Sequence, residues 1–337
     1  MKDFLDLADL SDERLDTVLR LARELEARPV GDALRGRTVG LLFMNPSVRT
    51  LASMQAAVTQ QGGQTFVVTP GSGSWKMETR SGAVMDGEAA EHVSEAIPVL
   101  AQYADLLGVR CFAEGRNLDH DLEDALIHTM ARLCPKPFVN LESARAHPCQ
   151  ALADWKTLDD LAIPRKGGRF VLSWAWHPKA LPYAVPSSAL EMAARRGMDV
   201  TVLRPDGFAL PAAVMDRAKA IATRSGGSIV ETCDRELAMS GAHALYAKSW
   251  SSSAFYGQPA EEAALRAPLR NEWCVRESWF KPSLPDARFL HCLPVRRNIK
   301  VADEVLDGPR SVVIRQAGNR MHAQKALIIE MLGGNKT

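Results

Sequence analysis

The chain has 337 residues, with 41 Lys plus Arg against 40 Asp plus Glu and 46% hydrophobic residues. That length exceeds one compact core and suits two domains, and the near-balanced charge excludes the electrostatic footprint of a nucleic-acid or membrane-surface binder, leaving a small-molecule partner. Cys111, Cys134, Cys149, Cys233, Cys274 and Cys292 form no CxxC pair, and there is neither an apolar signal segment nor a membrane-length run, so the expected setting is cytoplasmic and reduced.

Apolar and β-branched runs alternate with helical periodicity, which is βαβ organisation and predicts an α/β fold. In the first half the predicted strands are TVGLLF (38–43), QTFVVT (64–69), DLLGVR (105–110) and PFVNL (137–141), enough for one parallel sheet. Amphipathic segments such as AAEHVSEAIPVLAQYA separate them. In the second half RFVLSW (169–174), DVTVL (199–203), SIVET (228–232), ALYA (244–247), RFLHCL (288–293) and SVVIR (311–315) predict a second parallel sheet. The polar helix after HPCQ (147–150) is the expected bridge between the lobes, and IPRKGG then resets the chain.

Ligands of open α/β sheets sit beyond the carboxyl ends of the strands, which singles out NPSVRT, GVRCF, ESARAHPCQ and HCLPVRRNIK. In NPSVRT, Asn45 and Pro46 break the strand, Ser47 caps a helix whose first N–H groups suit a phosphate, and Arg49 adds charge-assisted bonds. The same residues also suit a plain capped helix with a solvated arginine. Arg110 leaves the sheet on the same side, as a second anion contact or as a surface ion-pair partner. His147 and Gln150 share one helical face if a helix starts at Pro148, fit to grip a small planar group or merely to cap.

The order SxRT, GVR, HPxQ, HCLP resembles the aspartate/ornithine carbamoyltransferase family over most of the chain. Trp75, VMDGEAAEH (84–92), YAKSW (246–250) and HCLPVRRNIK (291–300) resemble its N-acylornithine branch more narrowly. The resemblance implies two doubly wound parallel-sheet domains. These are a carbamoyl phosphate-binding domain at 1–149, with a C-terminal helix at 320–337 packing back on it, and an acylornithine-binding domain at 150–319. It also implies carbamoyl transfer from carbamoyl phosphate to the δ-amine of an N-acyl-L-ornithine, in arginine biosynthesis, with no metal or organic cofactor. Ser47, Val48 (by its backbone), Arg49 and Thr50 would cradle the phosphate and Arg320 would close over it. Arg110 and His147 would polarise the carbamoyl oxygen, and Gln150 with the carbonyls of Cys292 and Leu293 would orient the carbamoyl NH2. By the same analogy Trp75 reaches into a neighbour's site, so a homotrimer with shared active sites is expected.

The attacking amine must lose a proton, since free alkylamines titrate near about 10.4; the departing phosphate is the expected acceptor, and Cys292 is expected as a small buried thiol, not a nucleophile. Glu142, Lys248, Arg296 and Lys300 are the candidates for holding the acceptor, and the resemblance implies that Lys300 can be carboxylated. Ala90 falls where acetyl-type enzymes carry Glu and succinyl-type enzymes Pro; a small neutral residue neither fills space nor repels a succinyl carboxylate, which favours succinyl. Leu51 replaces an arginine of the usual phosphate motif, no SMG loop for plain ornithine is recognisable, and WHPKALPYAVPSS (176–188) resembles the loop that knots the acylornithine enzymes. The rivals are an ordinary ornithine carbamoyltransferase, a non-catalytic relative that binds the same ligands, and a nucleotide-dependent Rossmann enzyme, for which no GxGxxG is present.

Overall fold

The structure, a computed structural model, describes residues 1–333. Its described residues divide into two units: 1–113 with 122–152 and 320–333, and 114–121 with 153–319.

In the first unit the strands are β1 (Asp3–Phe4), β2 (Thr38–Phe43), β3 (Gln64–Val68), β4 (Lys76–Glu78), β5 (Ala89–His92), β6 (Leu106–Arg110) and β7 (Phe138–Glu142). Five of them form a parallel sheet in the order β1-β7-β6-β2-β3, and β4 pairs β5 separately. Every residue of β6 and all but the first of β2 are buried, as expected for central strands covered on both faces. Packing against them are Val93, Ile97 and Ala101 of one helix and Ile127, Met130 and Ala131 of another. The chain steps from β2 to β3 on one side and then to β6 on the other. The strand order therefore reverses between β2 and β6, which opens a crevice at their carboxyl ends.

The second unit repeats the plan with β8 (Arg169–Trp174), β9 (Asp199–Leu203), β10 (Ser228–Thr232), β11 (Ala244–Lys248) and β12 (Arg288–Leu290). All pairs are parallel, in the order β10-β9-β8-β11-β12. Here the reversal lies between β8 and β11, so Lys248 and the residues after Trp174 flank the second crevice.

Two strand expectations need correction. Residues 311–315 are not a strand: Ser311 makes an isolated bridge to Phe289, and a helix runs from Val313–Leu332. Its Gln316, Arg320, Ala323 and Leu327 are buried at helical spacing, and that burial outweighs the β-branched character of SVVIR. The strand expected at 288–293 stops at Leu290, because the N–H of His291 leaves the ladder for the Gln316 side chain. Of the helix expected at 320–337, residues 334–337 lie outside the described residues. No described helix is long and apolar enough to cross a membrane.

Candidate active site

β2 delivers the chain to the first crevice. Met44 N donates to Arg110 O at 2.9 Å and Phe112 N donates to Asn45 Oδ1 at 2.7 Å, tying the loops after β2 and β6 together. Ser47 is the N-cap of the helix Val48–Thr59: its Oγ accepts from Thr50 N at 3.3 Å and donates to Thr50 Oγ1 at 3.0 Å. The remaining first-turn N–H groups face outward along the axis, as an anion requires. Val48 is 81% exposed, so it offers backbone only. Thr50 is fully buried and accepts from Arg320 Nη2 at 2.9 Å, across 270 residues of sequence. Arg49, half-buried, is the second cation of this helix start.

Arg110 ends β6 buried, in an ion pair with Glu142 of β7, and its guanidinium carbon stands 4.4 Å from the Phe112 ring centroid. Its Nε has no hydrogen-bond partner among the described residues, so this buried donor fits a substrate oxygen. His147 Nε2 lies 3.3 Å from the same Glu142 carboxylate, which makes Glu142 the shared anion of Arg110 and His147. The turn before His147 is built on Asp124, whose carboxylate accepts from Ser143 Oγ at 2.5 Å and Ala144 N at 3.1 Å. Burial pushes the Asp124 carboxyl above the usual carboxylate range. The next helix starts at Pro148, and Gln150 N and Ala151 N both donate to His147 O, so His147 and Gln150 flank one buried helix start.

Trp75 is 59% exposed, with its Nε1 donating to Glu91 Oε2 at 2.7 Å. Ala90 is exposed and is the extra residue of a bulge: Ala89 pairs with Lys76 and Glu91 with Met77.

In the second unit, Lys248 ends β11 and its Nζ approaches Cys292 Sγ at 3.5 Å. His291 is buried and its Nδ1 accepts from Leu293 N at 2.9 Å, holding Leu293 at φ 55 and so fixing where the carbonyls of Cys292 and Leu293 point. Lys300 is 1% exposed. Burial first, then the cations Lys248, Arg266 and Arg296, holds its amine well below the ordinary lysine range. Arg296 Nε donates to His177 Nε2 at 3.2 Å, and burial lowers the His177 imidazole to about 4. The sequence reading missed His177; the sole signal was its place just after β8, opposite β11 at the strand-order reversal.

Of the expected residues, Ser47, Val48, Arg49, Thr50, Trp75, Ala90, Arg110, Glu142, His147, Gln150 and Arg320 lie in the first unit, and Lys248, Cys292, Leu293, Arg296 and Lys300 in the second. The first set offers cations and N–H donors for an anion and a polarisable carbonyl. The second gathers Lys248 and Arg296 about the buried Lys300 amine, whose charged form burial and these cations disfavour. Among the described residues no group of three or more His, Cys, Asp or Glu could hold a metal ion.

Residues 2–160 match the model of the aspartate/ornithine carbamoyltransferase carbamoyl-P binding domain, and residues 183–331 that of the Asp/Orn binding domain. The chain is 38% identical to N-acetylornithine carbamoyltransferase of Xanthomonas campestris pv. campestris, over 100% of this chain and 99% of that one. It is 33% identical to N-succinylornithine carbamoyltransferase of Bacteroides thetaiotaomicron, over 89% of each. Among solved structures, a glutamate-to-alanine variant of N-acetyl-L-ornithine transcarbamylase, complexed with carbamyl phosphate and N-succinyl-L-norvaline, superposes with a TM-score of 0.94 at 38% identity, covering 98% of this chain and 100% of that one.

Proposed function

The chain belongs to the aspartate/ornithine carbamoyltransferase family, and from that premise we propose that it transfers the carbamoyl group of carbamoyl phosphate to the δ-amine of an N-acyl-L-ornithine, giving N-acyl-L-citrulline and phosphate. The observation that carries this reading is the meeting of the Ser47-capped helix start with Arg320 at Thr50, a phosphate cradle with charge on more than one side.

Ser47, the Val48 N–H, Arg49, Thr50 and Arg320 hold the phosphate. Arg110 and His147, both anchored on Glu142, donate to the carbamoyl oxygen as it gains charge, an effect worth roughly 3 to 4 kcal/mol per donor. Gln150 and the Cys292 and Leu293 carbonyls accept from the carbamoyl NH2. The neutral δ-amine attacks the carbamoyl carbon; the N–C bond forms, the C–O bond to phosphorus breaks, and the phosphate leaves with the bonding pair and takes the amine proton. Positioning alone supplies much of the rate, so Cys292 is not needed as a nucleophile.

Lys248 and Arg296 pair with the acceptor's carboxylate, with Glu142 and Lys300 completing its site. A buried amine whose charged form is disfavoured among cations is also suited to add CO2: the Lys300 nitrogen bonds the carbon, sheds a proton and becomes a carbamate anion that Lys248, Arg266 and Arg296 stabilise. A mass gain of one CO2 that disappears on acidification tests this, and an unmodified, fully active protein contradicts it. For the acyl group we favour succinyl, because Ala90 is small and neutral, and because a relative carrying alanine in place of one glutamate holds N-succinyl-L-norvaline. The working form we propose is a cytoplasmic homotrimer in which Trp75 serves a neighbouring site.

Incubating the protein and carbamoyl phosphate with N-succinyl-, N-acetyl- and free L-ornithine, with products read by mass, tests the proposal. Acylated citrullines support it, and the succinyl product forms with the higher kcat/KM. Citrulline alone would return the ordinary ornithine enzyme, and no product the non-catalytic relative.

A further inference from the structure

Resting on that reading, we infer that Gln316 is a positioning residue that clamps the HCLP turn against Asp154. Gln316 lies in the first turn of the helix Val313–Leu332, with its own N–H donating to Val312 O at 2.8 Å. Its side chain reaches back over the end of β12, where Oε1 accepts from His291 N at 2.9 Å. Its Nε2 donates to Asp154 Oδ1 at 2.6 Å. Gln316 is 0% exposed, Asp154 1% and His291 1%, so these bonds are shielded from bulk solvent.

The chain of bonds has one direction. The His291 backbone N–H can only donate, so the carbonyl end of the Gln316 amide must face it, and the NH2 end is left to donate to Asp154. His291 Nδ1 in turn takes the Leu293 N–H, which sets the left-handed turn from which the Cys292 and Leu293 carbonyls project. Gln316 thus reaches the carbamoyl group through His291 without touching it. The titratable groups facing this chain are Tyr246 of β11, beside Asp154, and Cys292 and His291 of the turn itself. Arg315, next along the helix, turns instead to Asp160 at 3.6 Å.

The test is steady-state kinetics of carbamoyl transfer, over a range of pH, on the full chain carrying Gln316→Leu, Gln316→Glu, or Gln316→Glu with Asp154→Asn. Gln316→Leu removes the acceptor of the His291 N–H and one donor to the Asp154 carboxylate, frees the HCLP turn, and lowers kcat/KM by about 100-fold. Gln316→Glu brings two carboxylates into contact that must share one proton. It is therefore active at low pH and loses activity as pH rises, along a limb the wild type lacks. Adding Asp154→Asn reverses donor and acceptor: the new amide donates to Glu at 316, which accepts from His291 N–H, and the alkaline limb disappears. If Gln316→Leu does not fold, the other two variants still decide. A Gln316→Glu profile that follows the wild type, or a limb that survives Asp154→Asn, overturns the inference. An active wild type with indifferent variants sinks this inference alone, whereas an inactive wild type sinks the proposed reaction as well.

Discussion

Replacing Arg110 with lysine keeps one positive charge opposite Glu142 and removes the guanidinium fork. In the structure Nη1 is committed to Glu142, the guanidinium carbon lies 4.4 Å from the Phe112 ring centroid, and Nε has no protein partner among the described residues. An ammonium can satisfy the buried Glu142, so the large penalty for breaking a buried pair, about 3–5 kcal/mol, is avoided. What goes is the stacking on Phe112, about 1 kcal/mol. Catalysis suffers more, because one ammonium cannot hold Glu142 and donate to the carbamoyl oxygen in the same geometry. Losing one such donor costs roughly 3 kcal/mol of barrier, which is about 10²-fold in kcat. Urea unfolding followed by circular dichroism, paired with initial rates of acylcitrulline formation, separates the two effects. The expected pattern is a small shift in midpoint with a drop in turnover of about 10²-fold. A turnover within about three-fold of wild type, in a folded Arg110→Lys protein, refutes the role given to this side chain.

Ser47→Ala removes the cap of the phosphate helix and costs about 1 kcal/mol of stability. Its KM for carbamoyl phosphate rises, and an unchanged urea midpoint and KM argue against the cap. His177 is held neutral in the folded chain down to about 4, whereas an unfolded histidine titrates near about 6.5, so its contribution is complete above that pH and is lost as pH falls through the interval. Urea midpoints of His177→Asn therefore fall less steeply between those pH values than those of the wild type; equal slopes contradict the assignment. Ala90→Glu restores bulk and charge at the β5 bulge and lowers kcat/KM for N-succinylornithine at least tenfold relative to N-acetylornithine, measured in competition.

Much of the fold was legible because its central strands are short, apolar and punctuated by polar residues. TVGLLF, RFVLSW and DVTVL are strands residue for residue: burial on both faces leaves TVGLLF apolar after its first residue and RFVLSW apolar but for Arg169 and Ser173, while DVTVL shows the alternation of a strand buried more on one face. β1 is two residues long and β4 and β5 carry few apolar side chains, so neither leaves a periodic signal. SVVIR misled because local β-branching says nothing of the buried face that Gln316, Arg320 and Ala323 complete further along. In the site, the cap at Ser47 and the helix start at Pro148 follow from local rules and were readable. The joining of Arg110 and His147 through Glu142, of Arg320 with Thr50 and of Arg296 with His177 was not. Those contacts close over 32, 270 and 119 residues, and nothing in the flanking sequence marks the partner.

The most direct test of the account compares phosphate release with carbamoyl transfer in the wild type and in Arg49→Ala. The wild type is expected to release one orthophosphate for each N-acylcitrulline formed, only when an acylated ornithine is present, and Arg49→Ala to lose both together as its affinity for carbamoyl phosphate collapses. Phosphate released without acceptor, or an Arg49→Ala protein that binds carbamoyl phosphate as tightly as the wild type, would contradict the account.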